Sequence, residues 1–216
     1  MKYAMLAIFV VTTTIHLYAS YNSNQPLRNA SKPWILLSLL GFYVYSVEQI
    51  KLTVVLALIF SWIGDMFLIL KGVKWFTIGG ISFEISHIFF ILSYAEFVDF
   101  SKLNIVFVVA LIALFVVSSS IIFHYLRPHL PKPLFYPMYM YLIVNGLMNC
   151  FAWFRSLCTS GGAAIITAIG ALLFYISDSS LFFVRFKKNC KLKTHFLVML
   201  TYSIGELLIV IGLVLG

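Results

Sequence analysis

Eight apolar runs, each about as long as the 20 residues a membrane-crossing helix needs, occupy nearly all of this chain. They fall at residues 3–20, 33–48, 52–70, 76–95, 103–124, 134–154, 163–184 and 194–215. Their apolar residues are continuous rather than alternating, which rules against a membrane β-barrel. In hydrocarbon each backbone polar group must be satisfied within its own segment, and that leaves helices. Only 10% of the 216 residues are charged, against about 25% in a soluble domain. The sequence therefore predicts an all-α integral membrane protein, a bundle of eight transmembrane helices. None of the gaps holds a soluble domain, so residues 1–216 form one transmembrane domain in this reading.

The gaps carry turn chemistry. Asn22 to Pro33 is polar with two prolines, and Gly72 sits between Lys71 and Lys74. Pro128, Pro131, Pro133 and Pro137 crowd the fifth connection, and Ser160, Gly161 and Gly162 precede the seventh run. The net charge of +8 lies in short connections, which is an orientation signal and not a nucleic-acid footprint. The termini and the even connections hold four basic residues, and the odd connections hold the other eleven of the fifteen. The charge bias thus places the odd connections in the cytoplasm and both termini outside, with a bacterial inner membrane as the expected location. The competing view of residues 1–20 as a secretory signal gives a poor cleavage site at Tyr18-Ala19-Ser20. Cys150, Cys158 and Cys190 lack metal-ligand spacing and are expected to pack as small apolar side chains.

Five ionisable side chains interrupt the apolar runs: Asp65, Glu84, His87, Asp178 and Glu206. Asp at the centre of a membrane helix costs on the order of 3 kcal/mol even on insertion scales, so such groups normally face a polar interior. At about 1.5 Å per residue, Asp65 and Asp178 lie roughly 8 and 9 Å from the more basic face, with Glu84 and His87 deeper on the fourth run. Two carboxylates meeting in a water-accessible hollow divide one proton, leaving an acid beside a base. Each Asp as plain helix-to-helix glue is the alternative. Glu84 and His87 share a helix face, but the second Glu-x-x-His of a di-metal bundle is absent, so no metal is expected. His87 is expected to hydrogen-bond within the cavity, and Asn145 and Asn149 to form a polar stripe. Glu206, near Gly205, is either cavity wall or a clasp between helices. His16, His124, His129 and His195 fall at run ends and are expected at the interface, as are Trp34, Trp62, Trp75 and Trp153.

An internal echo joins Ile63-Gly64-Asp65-Met66-Phe67-Leu68 to Ile176-Ser177-Asp178-Ser179-Ser180-Leu181. Its offset of four runs suggests two parallel four-helix repeats.

The first of these segments, then Gly80 and Phe83 leading to His87 and Tyr94, then Gly170 through Ser179, resemble the YhhN-like family of eight-span membrane proteins, which includes lysoplasmalogenases. The resemblance spans essentially the whole chain. It implies hydrolysis of the vinyl ether bond of lysoplasmalogens to a fatty aldehyde and glycerophosphoethanolamine or glycerophosphocholine, with no cofactor. The family's two essential aspartates carry over onto Asp65 and Asp178. Glu206 departs from the pattern, standing where a glutamine is expected. Within that implied chemistry His87, Glu84, Tyr94, Asn145, Ser177 and Glu206 are candidates for cavity wall, substrate binding or tuning of the acids. Arg185, Lys187 and Lys188 are candidates for the headgroup side, where basic residues attract phosphate; plain topology signalling is their alternative. The implied partners are a lysophospholipid, water and membrane lipid. A proton-coupled or small-solute transporter is the competing class, and a hydrolase of another ether lysolipid a third.

Overall fold

The computed structural model describes residues 1–187 and 195–216. Cys190 and Lys188 lie outside the described residues. Eight α-helices account for most of that chain: α1 (Lys2–Tyr21), α2 (Gln25–Val44), α3 (Leu52–Ile69), α4 (Val73–Ala95), α5 (Ile105–Leu126), α6 (Phe135–Cys158), α7 (Gly162–Phe186) and α8 (His195–Leu215). No strand occurs among the described residues. Six of the helices, all but α2 and α6, are long and apolar enough to cross a membrane. The exceptions have a physical cause. α2 carries Arg28 and Lys32, and α6 carries Asn145, Asn149 and Arg155, and several of these turn inward.

α2 departs most from expectation. The polar stretch around two prolines predicts a connection to residue 32, yet the helix starts at Gln25. The Asn24 side chain accepts a hydrogen bond from Leu27 N at 3.2 Å and caps it. Pro26 occupies the first turn, where its missing N–H costs nothing. Pro33 lies inside the helix, and its carbonyl is held by the Trp62 indole N–H at 3.0 Å. Arg28 and Lys32 are thus helix residues and not loop charges; both are half-buried and line a cavity at one end of the bundle. Arg155, counted as a sixth-connection charge, is inside. It is buried in α6, donates to Thr167 Oγ1 at 3.0 Å and to the Gly212 carbonyl at 3.4 Å, and lies over the Phe97 ring.

Consecutive helices pair as hairpins, α1 with α2, α3 with α4, α5 with α6 and α7 with α8, while α4–α6, α6–α7 and α1–α8 contacts close the bundle. α5 packs chiefly on α6, and much of its surface is exposed apolar side chain such as Val106, Val109 and Leu114. In a membrane protein that surface faces lipid. Gly72 and Gly161 stand before α4 and α7 with φ of +117° and +121°, a backbone region glycine enters readily and other residues do not.

The α7–α8 contact is made by backbone against backbone. A Cβ on Gly170 would lie 2.6 Å from the Gly205 carbonyl oxygen and 2.7 Å from Ile209 N. Small residues of this kind let membrane helices approach closely. Gly170→Ala is therefore expected to push α7 and α8 apart and cost about 1–3 kcal/mol, the usual range for overpacking. Thermal unfolding in detergent reads this as a lowered midpoint; an unchanged midpoint would show that the two backbones do not meet there.

Candidate functional site

Asp65 sits four residues before the end of α3 and is buried. Gly64 beside it makes room for α4: a Cβ there would strike the Phe83 ring at 2.6 Å. Both oxygens of Asp65 are occupied. Lys32 Nζ on α2 lies 3.0 Å from Oδ1, and the Tyr202 hydroxyl on α8 donates to Oδ2 at 3.0 Å. The α2 start at Gln25 is what brings Lys32 to this depth.

Asp178 on α7 is also buried but differently served. The Tyr141 hydroxyl donates to its Oδ2, and Asn145 Nδ2 donates to the same oxygen at 2.9 Å. Tyr141 and Asn145 are one turn apart on α6, so one helix face supplies both. Its nearest cationic candidate is His87, whose Nε2 lies 3.7 Å from Oδ2, beyond hydrogen-bond length. No hydrogen bond to Oδ1 occurs among the described residues.

The two aspartates line one cavity of about 80 Å³, room for several ordered waters. His16, Arg28, Lys32, Arg185 and His195 contribute its basic wall. Phe76, Phe83, Leu181 and Met199 contribute apolar surface. The cavity lies where α1, α3 and α7 end and α2, α4 and α8 begin, so it belongs to one end of the bundle. The joint presence of guanidinium, ammonium and imidazole groups suits a phosphate, for which Arg offers a bidentate fork.

The other candidates distribute unevenly. Ser177 lines the cavity, but its hydroxyl is spent on the Val198 carbonyl at 2.8 Å, tying α7 to α8. Asn145 stands behind Asp178 as a donor and holds Asn149, which donates to the Asn145 carbonyl at 3.0 Å. His87 is fully buried between the rings of Tyr141 and Phe174, with neither ring nitrogen hydrogen-bonded. It backs the cavity without lining it, against the expectation of a cavity hydrogen bond. Glu84, three residues away, turns to a separate groove between α4 and α6. Tyr94 lies at the last turn of α4, near the opposite end of the bundle, so motif order placed it with residues that depth keeps apart. Glu206 is fully buried one turn below Tyr202, with the Ser61 side chain as its polar neighbour; it sits beneath the cavity. Arg185 lines the mouth, whereas Lys187 is exposed and does not. Lys188 lies outside the described residues.

Sequence reasoning missed Lys32, Arg28, Tyr141 and Tyr202, and assigned His16 and His195 to the interface. His16 is buried, with Nδ1 2.9 Å from the Ser31 hydroxyl. Tyr141 is four residues before Asn145 and Tyr202 four before Glu206, so a search one turn along each polar stripe would have found both. Among the described residues, no three His, Cys, Asp or Glu side chains stand together in a way that would hold a metal ion.

The model of the YhhN family matches residues 27–213. The chain belongs to the YhhN family. No curated protein and no solved structure matches it. The match begins inside α2 and ends in α8, so both aspartates, Lys32, Tyr141 and Tyr202 of this YhhN protein fall within it.

Removing one partner of a buried ion pair leaves the other charge uncompensated, at about 3–5 kcal/mol. Lys32→Met is therefore expected to destabilise the protein by about 3 kcal/mol, and Lys32→Met with Asp65→Asn to recover most of that loss. Unfolding in detergent of the two single variants and the double variant completes the cycle; additive losses would show that the two side chains are not coupled.

Proposed function

We propose that this YhhN protein is a lysoplasmalogenase, hydrolysing the vinyl ether bond of a lysophospholipid by acid–base catalysis. The observation that carries the reading is the unequal set of partners around two carboxylates on one cavity. Asp65 has a cation and a hydroxyl donor on its two oxygens, the charge-assisted partners a carboxylate takes. Asp178 has neutral donors on one oxygen, and its Oδ1, without a hydrogen bond among the described residues, holds the proton in this reading.

A vinyl ether resists nucleophiles and yields to acid, so the reaction needs a proton donor, a nearby negative charge and water. Asp178 Oδ1–H transfers its proton to the outer vinyl carbon, and the remaining carbon and oxygen share the positive charge as an oxocarbenium ion. The Asp65 carboxylate steadies that cation and takes a proton from the water that adds to it. The resulting hemiacetal collapses. Asp65 returns its proton to the departing glycerol oxygen, while Asp178 takes the proton of the hemiacetal hydroxyl and is restored. The products are a fatty aldehyde and a glycerophospho-alcohol, and no bond to the protein forms. Arg28 and Arg185 hold the phosphate at the cavity mouth. The bundle is set in a membrane with all eight helices crossing, as two parallel four-helix halves.

A second reading, a proton-coupled transporter, draws on buried polar atoms beyond the cavity. Tyr94 hydroxyl and Arg155 Nε are without hydrogen-bond partners among the described residues and lie toward the far end, with buried Glu206 between them and the cavity. Uptake of solute driven by a pH gradient in proteoliposomes distinguishes it.

Purified protein is expected to release aldehyde from a lysoplasmenyl lipid. Asp65→Asn and Asp178→Asn should each lower that rate at least about 100-fold, the lower bound for losing a positioned acid or base. Product analysis by mass spectrometry across vinyl ether, saturated ether and ester lysolipids checks both rate and bond type. Full activity in either variant removes that residue from the reaction.

A further inference from the structure

α4 and α6 separate at the cavity end and leave a groove between them. α4 lines it with Thr77, Gly80, Ile81 and Glu84. Leu134, just before α6, and Pro137, Met138 and Tyr141 on α6 line its other side. Each set has the spacing i, i+3, i+4, i+7, which is one continuous face of a helix. Phe76 and Phe182 form the floor. The groove is apolar except for Thr77, the Tyr141 hydroxyl and Glu84, which is half-buried at the deep end. Ile81 and Pro137 on its rim are exposed on the outer surface of the bundle, so the groove opens sideways, toward lipid in a membrane.

The groove also neighbours the aspartates. A narrow hollow of about 20 Å³ lies between, sharing Gly80, Tyr141 and Phe182 with the groove and Asp178, Leu68 and Leu181 with the aspartate cavity. Gly80 stands at the junction, and a Cβ there would meet nothing within 4 Å. Its missing side chain leaves open space, unlike Gly64 and Gly170, where neighbouring atoms fill the gap. The polar and apolar parts are therefore laid out in series: basic side chains at the mouth, then Asp178, then an apolar channel leading out to lipid.

We propose that the α4–α6 groove is the hydrocarbon-chain subsite and the lateral way in, with Gly80 as its gate residue. The occupant is the single chain of a lysophospholipid, which leaves the protein sideways above Glu84 while the phosphate stays on Arg28 and Arg185. The argument is the walls it shares, through the hollow at Gly80, with the aspartate cavity, and the matching polarity along that line. This assignment rests on the lysolipid reading of the site but is tested apart from it.

The decisive experiment uses a saturated-ether lysophospholipid bearing a diazirine in its chain, which binds without presenting a vinyl ether. Irradiation of the full-length protein in detergent should place adducts on the peptides containing Ile81 and Met138. An excess of unlabelled ether lysolipid should suppress them, and Gly80→Leu should abolish them. In the hydrolysis assay Gly80→Leu should raise KM for a long-chain substrate by about tenfold, the factor expected for displacing one or two buried methylenes, and leave a short-chain soluble analogue unchanged. Gly80→Ala should behave as wild type, and the wild-type adduct map decides the question even where Gly80→Leu does not fold. Adducts spread over lipid-facing α5 residues such as Val109, not suppressed by competitor, overturn the subsite. Suppressible adducts at Ile81 and Met138 with no aldehyde release from any lysolipid keep the subsite and overturn the hydrolase reading. Aldehyde release with scattered adducts and an unchanged KM in Gly80→Leu does the reverse.

Discussion

The ion pair between Lys32 and Asp65 decides how this bundle is built. A carboxylate held among helices without compensation costs several kcal/mol, and among the described residues Lys32 alone is ion-paired with Asp65. Satisfying it requires α2 to run down beside α3 from a start as early as Gln25, which in turn requires the Asn24 cap and a first-turn proline. It also requires α8 to present Tyr202 at the same level. Three helices are thus registered against one side chain. The register is costly to keep, because a buried ion pair is rarely more stable than well-packed apolar side chains of the same volume. Its persistence here points to use rather than to stability.

Asp178 is the contrasting case. It is buried to a similar degree but has no Lys or Arg ion pair among the described residues, and its donors are a phenol and an amide. Two ionised carboxylates in so small a cavity would repel, and the donors around them differ in charge and number. His87 does not equalise them. Its ring is wedged edge-on against Tyr141 and Phe174, so it fixes the position of the phenol that holds Asp178 more directly than it touches the acid. The asymmetry comes from which helix faces which, α2 and α8 for one acid and α6 for the other.

Residues 65 and 178 were legible in the sequence because an acid in an apolar run stands out against its neighbours. The helical architecture was legible for the same reason. Lys32 and Arg28 were hidden by their own chemistry: beside Pro26 and Pro33, cations in a polar stretch have the signature of a connection, and only the capped, early start of α2 turns them inward. Tyr141 and Tyr202 were hidden by abundance, since among twelve tyrosines an aromatic belt explains any one of them. Tyr94 shows the opposite error. Its order along the chain associated it with His87, but two further turns of α4 carry it to the other end of the bundle. Sequence order does not encode depth unless it is multiplied by the helix rise.

Depth also explains why the chemistry sits at one end. Asp65 is four residues from the end of its helix and Asp178 eight, about 6 and 12 Å by helix rise. A lysolipid whose phosphate rests at the bundle's surface carries its vinyl ether just beneath the glycerol and its chain below that. Basic side chains at the mouth, acids one to two turns in and an apolar side channel at the level of Gly80 follow the same sequence of polarities. A substrate drawn from water would need no opening toward lipid, and a solute crossing the membrane would need the cavity to continue along the bundle axis. Below Tyr202 the path instead meets Glu206, fully enclosed, and the tight backbone contact of Gly170 with Gly205. The hollow beside Asp178 instead lies sideways at Gly80, between the aspartate cavity and the groove of α4 and α6.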